Sequence, residues 1–235
     1  MSIQVDHIAK HYGSQHAVDG ITFEARPGRI LGFLGPNGAG KSTTMRMLTG
    51  YLKPSSGTAS LCGFDTQTQS LELRKVMGYL PENTPLYADM YVKEFLLFVA
   101  NTYQLQDPKQ KVIQTIDLVG LGMEQHKKIS MLSKGYKQRV GLAQAIIHDP
   151  KVLILDEPTS GLDPNQLSDI RELIRKLGKD KTVVLSTHIM QEVEALCDDV
   201  IIIHKGKIVA NASITDLKNE HNGDSLENIF RILTN

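Results

Sequence analysis

The run Gly35-Pro36-Asn37-Gly38-Ala39-Gly40-Lys41-Ser42-Thr43 contains the pattern G-x-x-x-x-G-K-[ST] in its first eight residues. Those residue types at that spacing suit one task, the holding of phosphate groups. Glycines let successive backbone N–H groups turn inward around an anion-sized concavity. A helix beginning near Lys41 would point its positive dipole end at the same spot. Lys41 offers a mobile ammonium to β- and γ-phosphates, and Ser42 offers a hydroxyl oxygen to Mg²⁺. The plainer alternative is a glycine-rich turn capping an ordinary helix. The apolar run Ile30–Leu34 before the motif and the helix-period segment after it favour the nucleotide.

A second candidate group lies at Val152-Leu153-Ile154-Leu155-Asp156-Glu157, an apolar run that ends in two acids. A carboxylate inside a parallel sheet is costly unless it meets a cation. At the C-terminal edge of the strands, where ligands of open α/β sheets bind, it can meet one. Strand alternation sends neighbours to opposite faces, so the two acids are expected to do different jobs. Asp156 would complete the Mg²⁺ shell, and Glu157 would orient or deprotonate an attacking water. His188 follows a third apolar run, Thr182–Ser186, and is placed to touch the γ-phosphate or that water. Two solvated acids and a surface histidine are the bland alternatives. Beside the glycine-rich loop, the set reads as a site.

These residues need a scaffold that brings three strand ends together. Ile30–Leu34, Val152–Leu155 and Thr182–Ser186 read as strands buried on both faces, the mark of a parallel sheet. Each feeds an expected helix: Lys41 to Thr49, Pro164 to Leu177, and Met190 to Leu196. The second has Asp163 as N-cap, Pro164 at the first position and an apolar stripe of Leu167, Ile170, Ile174 and Leu177. Gly178 reads as its stop signal. From about Thr84 to His148 the texture is helical, with Val92, Phe95, Leu96, Val99 and Tyr103, then Val112, Ile116 and Val119, at helical spacing. Ile3–Val5 with Ile21–Phe23, and Val200–His204 with Lys207–Asn211, read as antiparallel strands, the latter turning at Gly206. The expected organisation is one domain over residues 1–235. Residues 1–83 and 150–235 supply an α/β core with a β portion, and about 84–149 a helical one.

Composition narrows the function classes. Lys+Arg 26 equals Asp+Glu 26, so no overall field draws nucleic acid or an anionic membrane. Hydrophobic residues at 41% and charged residues at 22% exclude a disordered chain. Cys62 and Cys197 are expected to be buried thiols of an intracellular protein rather than a disulfide framework. Met1–Asp6 lacks a secretory signal pattern, and no apolar run approaches the roughly 20 residues of a membrane helix. Any membrane role is expected to come through a partner.

Taken together, Gly35–Thr43, the segment Leu132-Ser133-Lys134-Gly135-Tyr136-Lys137-Gln138-Arg139, Val152–Pro158, Ser160–Asp163 and His188 resemble an ABC-transporter nucleotide-binding domain. The resemblance runs from Ile3 to about Leu233. It implies a P-loop fold with a RecA-like parallel-sheet core, an antiparallel β subdomain and a helical subdomain. It also implies an ATPase acting with ATP and Mg²⁺ as a head-to-tail homodimer or heterodimer. Each nucleotide would lie between Gly35, Asn37, Gly38, Ala39, Gly40, Lys41, Ser42 and Thr43 of one copy and Ser133 and Gly135 of the other. Tyr12 resembles the aromatic that stacks on adenine, and Asp163 the residue that couples the two sites. The partner implied is an integral membrane permease subunit, gripped near Glu82–Tyr87 at the cytoplasmic face of the cell membrane. No nucleic acid is expected.

Two departures stand out. The signature usually reads L-S-G-G-Q, whereas Lys134 and Tyr136 occupy its third and fifth positions here. Glu82 stands where a glutamine is usual, and its carboxylate could reach Mg²⁺ or the water. Both resemble the gliding-motility-associated and related drug- or polysaccharide-export ATPases, whose members often run longer than this chain. Other classes are a soluble ABC-type ATPase and an ATP-sensing module without a transporter partner. The first usually carries two such domains or a long coiled-coil insertion, and neither pattern is present.

Overall fold

A computed structural model describes residues 1–234. β1 (Ile3–Tyr12) and β2 (Gln15–Ala25) form a hairpin, and β3 (Ile30–Leu34) runs through the glycine-rich loop into α1 (Lys41–Leu48). β4 (Ser56–Leu61), β5 (Phe64–Asp65) and α2 (Ser70–Val76) lead to β6 (Met77–Leu80). Then come α3 (Val92–Thr102), α4 (Pro108–Leu118) and α5 (Lys134–Ile146) before β7 (Val152–Asp156). α6 (Pro164–Gly178), β8 (Thr182–Thr187) and α7 (Met190–Leu196) follow. The last elements are β9 (Asp199–His204), β10 (Lys207–Ser213), α8 (Ile214–Glu220) and α9 (Leu226–Thr234).

Two sheets result. One is antiparallel, in the order β2-β1-β4-β5. The other runs β10-β9-β3-β8-β7-β6, parallel from β9 to β6, with β10 returning antiparallel from a turn at Lys205-Gly206. Consecutive apolar residues in the parallel strands serve two cores at once. Val152, Ile154 and Val184 join the cluster shared with α1 and the antiparallel sheet. Leu153, Leu155, Val183 and Leu185 join the cluster shared with α3 to α6. That two-sided burial is why these strands are apolar runs rather than alternating ones.

The helical segment is pressed closely onto the core. A Cβ at Gly78 in β6 would collide with the backbone oxygen of Ala145 in α5. Tyr103 stacks on His148, ring centroids 4.0 Å apart and planes within 3°. The same histidine's Nε2 lies 3.0 Å from the Met77 carbonyl oxygen. Three parts of the chain therefore meet at one imidazole.

Several expectations change in detail. α6 stops at Gly178, one residue past the expected Leu177, but that glycine is the last helical residue and does not take the positive φ of a left-handed cap. Its missing side chain matters for packing, since a Cβ there would sit 2.6 Å from Ile30 Cδ1. The buried stripe of α6 includes Leu173, while Leu167 is only half-buried. Cys62 and Cys197 are free but half-buried rather than fully buried. No helix among the described residues is long and apolar enough to cross a membrane.

Candidate functional site

The C-terminal ends of β3, β7 and β8 meet at the glycine-rich loop. β3 pairs in parallel with β8, and β8 with β7, in registers that set Leu34 beside Thr187 and Asp156 beside Ser186. The loop's fold explains its glycines. A Cβ at Gly35 would lie 2.5 Å from the Ile203 carbonyl oxygen, and one at Gly40 2.5 Å from that of Ala17. Those two positions let the loop pack against β9 and β2. Gly38, at φ +78°, faces open space instead.

Lys41 is 5% exposed, and its ammonium donates to the Gly35 carbonyl oxygen at 2.8 Å. Its Nζ also lies 3.5 Å from Glu157 Oε1. One residue on, Ser42 Oγ donates to Asp156 Oδ1 at 3.0 Å. Ser186 Oγ donates to that same carboxylate oxygen and accepts the Glu157 backbone N–H at 3.1 Å. Asp156 is 1% exposed. An oxygen-only group of a carboxylate and hydroxyls has the hardness that Mg²⁺ selects, so these residues fit that ion.

Glu157 departs from the expected strand alternation. β7 ends at Asp156, and Glu157 takes φ 50°, in the left-handed region. The kink turns its carboxylate to the side that alternation would have denied it. There it meets Lys41 and, at 3.0 Å from Oε2, His188 Nδ1. Glu157 thus borders the cleft, while Asp156 lies buried beside it and is tied to it through Ser42.

That cleft encloses about 600 Å³. Tyr12, Asn37, Gly38, Gly40, Lys41, Ser42 and Thr43 line it together with Glu82, Glu157 and His188. Ser160, the first residue of the Ser160–Asp163 segment, also lines it, as do Gln15 and Ala17, which sequence reasoning did not single out. Gln15 had a usable signal, being two residues past the Gly13 turn and thus opposite Tyr12. Gly35 and Ala39 lie buried behind the wall; the Ala39 N–H donates to the Pro36 carbonyl oxygen at 3.2 Å.

Ser133 and Gly135 are not brought to the cleft. Ser133 is exposed at the start of α5, where its Oγ accepts from Tyr136 N at 3.5 Å. Gly135 is covered by the Gln166 carboxamide, and Lys134 Nζ lies against Gly161. Asp163 caps α6 as expected, accepting from Asn165 N at 3.1 Å and Gln166 N at 3.0 Å.

A buried clasp not foreseen from sequence joins the two loops that carry the acid and the histidine. Glu192 of α7, with no exposed surface, accepts from the hydroxyls of Thr159 and Thr187. Nearby, the Tyr79 phenol is pushed up to about 12 by burial, with the negative charge of Asp156 adding to the effect. It is neutral at any working pH.

Residues 18–160 match the family described as ABC transporter. The bacitracin transport ATP-binding protein BcrA of Bacillus licheniformis is 40% identical over 218 residues, covering 92% of this chain and 71% of the relative. The Nod factor export ATP-binding protein I of Paraburkholderia xenovorans is 37% identical over 232 residues, covering 97% and 76%. A solved structure described as the ATP-binding subunit of an ABC transporter superposes with a TM-score of 0.91 at 28% identity, over the whole of both chains.

Proposed function

Because this chain belongs to the ABC transporter family of ATP-binding proteins, we infer that the cleft binds and hydrolyses ATP to power transport through a separate membrane subunit. The observation that carries the reading is the placement of Glu157. Its carboxylate lies between a buried ammonium 3.5 Å away and an imidazole 3.0 Å away.

Each residue has a part in the reaction. Gly38 and the start of α1 hold phosphate oxygens with backbone N–H groups. Lys41 turns from the Gly35 carbonyl toward the β- and γ-phosphates, a short movement for a flexible side chain. Ser42 and Asp156 would hold Mg²⁺, which when bound neutralises charge on the β- and γ-phosphate oxygens. Glu157 accepts the proton of the attacking water, and His188 keeps that carboxylate aimed. Tyr12 stacks on the base at the far end, and Glu82 reaches toward the metal or the water.

The chain works as one domain, with residues of about 84–149 forming a helical subdomain. Ser133 and Gly135 reach a nucleotide only in a head-to-tail dimer, since α5 begins away from the chain's own cleft. A second groove of about 440 Å³, lined by Arg46, Tyr79, Asn83, Tyr103 and His148, supports docking of a membrane subunit at the cytoplasmic face. Export is the direction that the Nod factor relative favours. Neither the bacitracin nor the Nod factor relative bears a gliding-motility name, so that half of the subgroup resemblance gains nothing from them.

ATPase assays on two variants test this account. Glu157→Gln is expected to lower turnover by about 10²–10⁴-fold with ATP affinity unchanged; full turnover would remove Glu157 as the base. Ser133→Arg is expected to abolish hydrolysis while single-chain nucleotide affinity stays the same. Normal turnover in that variant would rule out the shared interface.

A further inference from the structure

We propose that His11, His16 and Asp19 form a binding site for a divalent transition-metal ion of the zinc type, at the stem of the β1–β2 hairpin. One donor atom from each side chain lies within 4.8 Å of the other two. The strand pairing shows why. His11 and His16 are direct cross-strand partners, but Lys10 pairs with Val18, which leaves Ala17 as an extra residue on β2. Such a bulge shifts the side-chain alternation of its strand by one. In a regular strand, residues 16 and 19 would face opposite sides. With the bulge, Val18 turns fully inward and Asp19 joins His16 on one face.

The local chemistry favours a metal over a plain polar cluster. The His11 and His16 rings stack with centroids 4.0 Å apart. His11 Nε2 is buried with no hydrogen-bond partner among the described residues. Leaving a buried nitrogen unsatisfied is unfavourable, and a coordinate bond would offset that cost. His16 Nδ1 lies 3.7 Å from Asp19 Oδ1. The second oxygen of Asp19 faces Lys207 Nζ at 3.4 Å, so the carboxylate is oriented while Oδ1 still faces the rings.

Two imidazoles and one carboxylate match the three-ligand set of open zinc sites. The nitrogen donors separate it chemically from the oxygen-only pair Ser42 and Asp156, which suits Mg²⁺. Ligands on a tetrahedral zinc stand roughly 3.3 Å apart, so closure needs the rings to turn and draw in by up to about 1.5 Å. His16 is more than half exposed at the end of a hairpin and is free to make that turn.

The position gives the site a consequence. Tyr12 and Gln15 sit between the two histidines in the chain, form the last pair of the hairpin, and both line the nucleotide cleft. A metal bridging the stem would pin the strand that carries Tyr12. It would change ATP affinity and leave the Lys41–Glu157 arrangement alone. This coupling rests on the adenine-stacking reading of Tyr12; the metal site itself does not.

The test uses the full chain, stripped with chelator and free of nucleotide. Titration with Co²⁺ followed by visible absorption, and with Zn²⁺ by calorimetry, is expected to show one equivalent bound. His16→Ala and Asp19→Asn should each weaken binding more than about tenfold, with ATP binding by the metal-free variants unchanged. Absence of stoichiometric binding, or equal binding by both variants, would overturn the site. Zn²⁺ should shift ATP affinity in the native chain and not in His16→Ala. Metal binding with no such shift would sever the link to Tyr12.

Discussion

A left-handed backbone at a residue with a side chain costs about 1 kcal/mol or more, and Glu157 bears that cost at φ 50°. The strain and the site are the same event, because the kink delivers the carboxylate to Lys41 and His188. Comparing Glu157→Gly with Glu157→Ala isolates it. Both variants lose the carboxylate, but only glycine relaxes the backbone, so Glu157→Gly is expected to be more stable by about 1 kcal/mol in urea unfolding. Equal stability would mean that the strain is absent. At this scale the sequence spoke clearly about which residues matter and less clearly about where they point. The period of two assigned Asp156 and Glu157 to opposite faces. Pro158 gave no warning, since a residue before proline is biased toward extended geometry, the opposite of the left-handed kink found at Glu157. Glu192 carried no signal at all. A glutamate on a short helix reads as solvated, and only the tertiary fold reveals two threonine hydroxyls converging on it.

Elements were legible where one local rule dominates. Asp163 and Pro164 mark the start of α6 because capping and fixed φ act within a few residues. Its end fell within one residue of the expected one, although Gly178 also answers a distant demand, the approach of Ile30 from β3. Helix propensity favours alanine over glycine by about 1 kcal/mol, so an isolated helix would gain from Gly178→Ala. Within this fold the new methyl would meet Ile30 Cδ1 at 2.6 Å. The variant is therefore expected to be destabilised by about 1–3 kcal/mol, measured by urea denaturation. A gain in stability would show that β3 and α6 can separate without cost. The hairpin β1–β2 teaches a related lesson. Its alternation was visible at Ile3–Val5 and Ile21–Phe23, but the bulge at Ala17 depends on pairing register and left no compositional trace.

Over the whole molecule, the apolar runs, the helical stretch and the antiparallel ends yielded the α/β layout, since each reflects how many faces of an element are covered. What they could not supply is how closely the helical segment sits on the sheet. That closeness depends on single contacts such as Gly78 under Ala145 and the imidazole shared by Tyr103 and Met77. The shared imidazole carries an acid penalty. Burial holds the His148 pKa below its ordinary 6.5 against a smaller upward pull from the Met77 carbonyl, while the Lys181 ammonium and Asp149 add lesser effects, downward and upward respectively. The folded chain thus favours the uncharged ring, while the unfolded chain protonates near the ordinary value. Stability from this group is complete above about pH 6.5 and drains away as pH drops toward the depressed native value. Melting temperatures recorded from pH 7.5 down to 5 should show this slope, and His148→Gln should flatten it. Mild acidification would then loosen the hold of the helical segment on β6 beside the groove that Tyr79, Tyr103 and His148 line.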